Sequence, residues 1–102
     1  MIRHIFIGTF KDSIGDDIKR RQLVNMQAMK ERIPGIVALQ IGLSTGWVGQ
    51  TNQVVMTVDF HTKEDFDMYM THSYHTDYIG SVIADTYFDR STFIAAQFEF
   101  EE

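Results

Sequence analysis

Cysteine is absent from this sequence. That excludes a disulfide framework, a thiolate nucleophile and any zinc site built on cysteine. Cations are scarce: nine Lys and Arg stand against fourteen Asp and Glu, for a net charge of −5. A sequence-independent grip on nucleic acid needs clustered Lys and Arg. The one basic cluster, Lys19-Arg20-Arg21, follows Asp16-Asp17 and reads as a solvated helix face. No apolar run approaches the roughly 20 residues that span a bilayer. The opening Met1-Ile2-Arg3-His4-Ile5 alternates, unlike a signal peptide. Linkers, repeats and low-complexity stretches are also missing, and proline occurs once. The expectation is a single cytoplasmic domain, residues 1–102, that neither crosses a membrane nor binds nucleic acid.

What the chain does contain is a concentration of chemistry in Tyr69-Met70-Thr71-His72-Ser73-Tyr74-His75. Two of the four histidines sit there at i, i+3, with a tyrosine three residues before the first. Imidazole takes or gives a proton near neutral pH, and a tyrosine hydroxyl can hold a developing oxyanion. In a helix or tight turn, Tyr69, His72 and His75 share one face. Histidines at a helix junction also serve as hydrogen-bonded structural groups, and spacing alone does not separate the two roles.

Around that segment the pattern alternates between short elements. Residues 2–10 read as a strand with Ile2, His4, Phe6, Gly8 and Phe10 on one face and Arg3, Ile5, Ile7 and Thr9 on the other. Helical spacing of Leu23, Met26 and residues 29–33 predicts a helix over 16–32, stopped by Pro34-Gly35. Residues 36–43 form a second strand, with Val37, Leu39, Ile41 and Leu43 on one side. A Gly-containing loop, residues 44–52, precedes a third strand over 53–60. Thr62, with Asp65 three residues on, opens a second helix that carries Phe66, Tyr69 and Met70. After the junction a third helix carries Tyr78, Ile79, Val82, Ile83 and Tyr87, and residues 91–100 close the chain as a strand. The order β-α-β-β-α-α-β is the ferredoxin-like pattern of an α+β fold with a four-stranded antiparallel sheet. Its open sheet face carries Ile5, Ile7, Val37, Leu39, Ile41, Val55, Phe98 and Phe100 on this reading. So large an apolar patch marks an interface, and the expectation is a homodimer that packs two sheets face to face. A one-residue slip would exchange the faces.

These stretches in their order resemble the stress-responsive dimeric α/β-barrel family. The matching motifs are Ile2-Arg3-His4-Ile5-Phe6, Ile33-Pro34-Gly35-Ile36-Val37, Met56-Thr57-Val58-Asp59-Phe60 and the Tyr69–His75 segment. Most members of that family have no assigned function. One branch comprises plant polyketide cyclases, typified by olivetolic acid cyclase, which close a linear chain by an aldol reaction without a cofactor. The resemblance implies Tyr69 and His75 as the catalytic pair, with His4 and His72 as further pocket histidines. It also places Gln97 where the cyclase has an acidic pocket residue, and Met26 where it has a tyrosine. The usual His-Pro-x-His reads His72-Ser73-Tyr74-His75 here, without the proline.

A pocket between helices and sheet would be lined by Phe6, Met26, Met56, Phe66, Tyr78 and Val82 beside these polar groups. Such a cavity suits a small, largely apolar molecule. His75 as base and Tyr69 as its partner at an enolate oxygen suit a cyclase or isomerase. A structural dimer with a vestigial pocket stays open as well. His4 also reads as a buried strand residue bonded to the junction backbone, and His72 as a helix-end cap. The six methionines suit a flexible core as well as a pocket. A metal held by His72 and His75 with His4 or Asp77 lacks a third ligand placed by spacing. Haem chemistry lacks its ligand environment. Trp47 reads as a pocket lid or a dimer contact.

Overall fold

The structure, a computed structural model, describes residues 1–101; Glu102 of the expected domain lies outside the described residues. The elements are β1 (Ile2–Phe10), α1 (Asp16–Gln27), α2 (Met29–Arg32), β2 (Ile36–Leu43), β3 (Gln53–Phe60) and α3 (Lys63–Thr71). A π-helix (Tyr74–Ile83), α4 (Ala84–Tyr87) and β4 (Phe88–Glu99) complete the chain. The four strands pair antiparallel in the order β2-β3-β1-β4, the ferredoxin-like arrangement of the α+β class.

Alternation within each strand decides which side chains meet the helices. Phe10, Val54, Met56, Val58 and Phe60 point inward and are buried against Met26, Met29, Ile33, Tyr69, Ile79 and Ile83. Each such burial contributes about 1.5–3 kcal/mol. The turn after α2 uses Gly35 at φ +92°, a left-handed backbone that glycine adopts without a Cβ clash. Thr62 accepts a hydrogen bond from the Asp65 N–H at 3.1 Å and so caps α3.

Three expectations change. The helix predicted over 16–32 divides at Ala28, where ψ of −14° tightens the turn towards 3₁₀ geometry. Leu39 and Ile41 face the helices, not the open side. They pair with the inward-facing Val58 and Met56, and an irregularity between Ile36 and Ala38 sets that register. Val37 falls within the irregularity. The last strand begins at Phe88 instead of residue 91, because Phe88 and Asp89 pair with Phe10 and Thr9 across a second irregularity in β1. The open face then comprises Ile5 and Ile7 of β1, Val55 and Thr57 of β3, and Ile94, Ala96 and Phe98 of β4. Ile94 is 60% exposed and Phe98 46%.

Candidate functional site

Three elements aim polar side chains into one cavity of about 200 Å³. His4 comes from the inward face of β1, Tyr69 from the last turn of α3, and His75 from the first turn of the π-helix. The Tyr69 and His75 rings lie 4.4 Å apart, centroid to centroid, and the His4 and Tyr69 rings 5.7 Å. Phe6, Met26, Met56, Ile79, Phe88 and Phe93 supply apolar walls.

The π-helix explains which neighbours the cavity receives. Its backbone closes over five residues, as where the Ala84 N–H bonds the Ile79 carbonyl, and the Ser81 side chain adds a bond from its hydroxyl to the Thr76 carbonyl at 3.2 Å. That wider turn brings Ile79, Gly80 and Ala84 to the side of His75. The α-spaced positions Tyr78 and Val82 rotate away, into an open groove with Glu31, Arg32 and His72. Wide helical turns of this kind are rare and concentrate at functional sites. Gly80 is built into the turn, since a Cβ there would stand 2.9 Å from the His75 carbonyl.

The structure thus brings together His4, Phe6, Met26, Met56, Tyr69 and His75 of the residues singled out in sequence. It does not bring Phe66, His72, Tyr78, Val82 or Gln97 to the cavity wall. Phe66 packs behind His4, with ring centroids 5.6 Å apart. The Nδ1 of His72 accepts the Tyr74 N–H at 3.1 Å, so this ring caps the start of the π-helix. Gln97 backs the site from β4, its Nε2 2.9 Å from His4 Nδ1. Trp47 is 88% exposed and lines no part of the cavity, so it is no lid within its own subunit. Among the described residues no three His, Cys, Asp or Glu side chains gather as metal ligands.

Ile79, Gly80, Ala84, Phe88, Arg90 and Phe93 were missed in sequence. One signal for Phe93 existed: Gly8, a glycine inside a strand, marks a close approach. A Cβ on Gly8 would meet the Phe6 and Phe93 rings at 2.8 and 3.0 Å. Its absence lets Phe93 lie across β1 and close the cavity wall.

Burial sets the protonation of the site. His4 titrates at about 4, lowered from 6.5 by burial first and by His75 second. An amide N–H of Gln97 can only donate, so His4 Nδ1 accepts and its ring proton sits on Nε2. Burial also lowers the pKa of His75, against a smaller opposing effect of the Met70 backbone. It raises that of Tyr69 above the ordinary phenol value. At neutral pH the cavity therefore holds a protonated phenol and two neutral imidazoles. Of three buried side-chain polar atoms without a hydrogen-bond partner among the described residues, two are the Tyr69 hydroxyl and His75 Nδ1.

Fold and site together define a ferredoxin-like α+β domain with a small apolar cavity bearing a Tyr-His pair. The chain belongs to the stress responsive A/B barrel domain family, whose pattern it matches over residues 2–93. No curated protein matches it. Among solved structures it is similar to a protein from Arabidopsis thaliana, at 16% identity and TM-score 0.82, covering 100% of this chain and 97% of that one. A Dabb family protein with a ferredoxin-like fold from Mesorhizobium loti aligns at 15% identity and TM-score 0.79, covering 99% and 97%. A dimeric ferredoxin-like protein of unknown function from Thermobifida fusca aligns at 21% identity and TM-score 0.78, covering 97% and 90%. At these identities the likeness establishes the fold. No helix among the described residues is long and apolar enough to cross a membrane.

Proposed function

We propose that the protein is a homodimer whose subunits each bind a small, largely apolar molecule beside His4, Tyr69 and His75. The observation that carries this reading is a pair of buried polar atoms without a partner among the described residues, the Tyr69 hydroxyl and His75 Nδ1, on side chains that line a mostly apolar cavity. About nine in ten buried polar groups are hydrogen-bonded, and leaving one unpaired costs about 1–3 kcal/mol. A ligand hydroxyl within reach of both atoms would restore both partners. The cavity is smaller than the roughly 300–1,000 Å³ of drug-sized sites, and slightly larger than the ~150 Å³ that accepts benzene. The occupant is therefore one substituted ring or its equivalent. Dimerisation is supported by the apolar open sheet face and by the dimeric relative from Thermobifida fusca.

NMR titration with benzyl alcohol tests the reading. Saturable shifts of the Tyr69 and His75 ring resonances are the expected result. Unchanged ring resonances at millimolar probe would sink it.

The same two atoms favour a second reading, a cofactor-independent cyclase or isomerase. Neutral His75 would remove a proton α to a carbonyl, and protonated Tyr69 would donate to the enolate oxygen that forms. Such acid–base help supplies about 10²–10⁴-fold. Under this reading His75→Ala stops turnover of a carbonyl substrate while sedimentation still shows the dimer. Turnover that persists would remove His75 as the base.

A further inference from the structure

Among the described residues, Arg90 is the one side chain lining the cavity that is charged at neutral pH. It also borders an open groove of about 530 Å³ that carries Lys11, Asp12, Asp85 and Asp89, and it shares that position with Phe88. Arg90 therefore stands where the cavity meets solvent.

Its guanidinium, on a side chain 54% exposed, makes two hydrogen bonds within the fold. Nη1 donates to the Gly80 carbonyl at 2.6 Å and to Asp85 Oδ1 at 3.1 Å, and the group lies 5.6 Å from the Phe93 ring centroid. Both hydrogen bonds use the same nitrogen. Nε and Nη2 form the opposite edge of the planar fork and make no hydrogen bond among the described residues. That edge has the donor spacing that takes a carboxylate with two parallel bonds.

Neighbouring charges leave the edge free. Asp85 occupies Nη1 alone. Asp89 Oδ1 is taken by the Ser91 N–H and hydroxyl at 3.0 and 2.6 Å. Lys11 donates to the Asp85 backbone carbonyl at 2.8 Å and adds a second cation to the groove. Asp12 is exposed and lines the same groove.

We infer that the ligand of this cavity is a small cyclic carboxylate, its ring enclosed beside Tyr69 and His75 and its carboxylate docked on the Nε–Nη2 edge of Arg90. The inference rests on the cavity being a ligand site, and it adds the chemical class. The volume agrees: about 200 Å³ encloses one six-membered ring and leaves a single substituent at the mouth.

Benzoate and its neutral isostere benzamide separate this inference from the reading beneath it. Both are titrated into the native protein, Arg90→Gln and Arg90→Lys, with the Tyr69 and His75 ring resonances as reporters. Benzoate should bind the native protein about tenfold more tightly than benzamide, the range of one charge-assisted bidentate contact. Arg90→Gln should erase that preference, weakening benzoate about tenfold more than it weakens benzamide. Arg90→Lys, which keeps the charge without the fork, should retain part of it and stands in should Arg90→Gln fail to fold. Equal binding of the two probes to the native protein would overturn the role of Arg90 and leave the cavity reading intact. So would a preference that survives Arg90→Gln. Binding of neither probe would overturn both.

Discussion

His4 shows how one side chain carries the state of a whole site. It is buried to 5% exposure, faces His75 and Tyr69, and is fixed by Gln97 from the neighbouring strand. Its pKa falls from 6.5 to about 4, so the folded chain binds fewer protons than the unfolded chain between those values. Stability rises with pH wherever the unfolded state binds more protons. The contribution is therefore fully present above pH 6.5 and is lost as pH falls towards 4. His75 shifts in the same direction. Urea midpoints at fixed protein concentration, measured from pH 7 to 4.5, should fall for the native chain. His4→Phe keeps a ring in the same place without a titrating group, so its midpoint should fall less steeply. Parallel curves for the two proteins would assign the acid sensitivity to other groups.

At the scale of elements the decisive feature is the π-helix, and it also marks where sequence reasoning stopped. Strand alternation made β1 and β3 legible, because inward positions such as Val54, Met56, Val58 and Phe60 contrast with polar Gln53, Thr57 and Asp59. Alternation set His4, Phe6 and Met56 on the inward face, while the Tyr69–His75 spacing and the family resemblance singled out Tyr69, His75 and Met26; all six line the cavity. β2 is apolar on both faces near its start, so its orientation hung on an irregularity at Val37 that no residue type announces. Tyr78 and Val82 follow His75 at i+3 and i+7, correct for an α-helix and wrong for a turn closing over five residues. Arg90 was missed because the last strand was expected to begin at residue 91; pairing of Phe88 with Phe10 draws Arg90 into β4. Gly80 offers a test whose sign is unusual. In an ordinary exposed helix Gly→Ala stabilises by about 1 kcal/mol. Here the added Cβ meets the His75 carbonyl at 2.9 Å, and the backbone behind it cannot swing aside. Gly80→Ala should lower stability by about 1–3 kcal/mol in urea unfolding, the usual cost of overpacking. A gain in stability would show that the segment accepts an α register.

For the whole molecule the open sheet face dominates. The helices cover one side of the sheet; the other leaves Ile94, Phe98 and Val55 exposed around the Arg3–Asp59 ion pair. That pair is bidentate, at 2.8 and 2.9 Å, which keeps two opposite charges satisfied within the plane of an otherwise apolar surface. A subunit of this length buries only about two-thirds of its unfolded surface. Phe98 is 46% exposed, so covering it adds up to about 1.5 kcal/mol. The proposed dimer therefore serves stability as well as assembly. Phe98→Glu separates the two effects. Phe98 pairs with Arg3 across β1 and β4, so the new carboxylate lies beside a guanidinium in the isolated subunit and the fold tolerates it. Within a dimer the same carboxylate is desolvated in an apolar interface, which is strongly unfavourable. Sedimentation velocity at micromolar concentration should show the native protein at twice the 11.8 kDa chain mass and Phe98→Glu at a single chain mass. Circular dichroism should show the variant's strands and helices retained. A native chain that sediments as a monomer would refute the dimer, and a Phe98→Glu protein that remains dimeric would place the interface on a different surface.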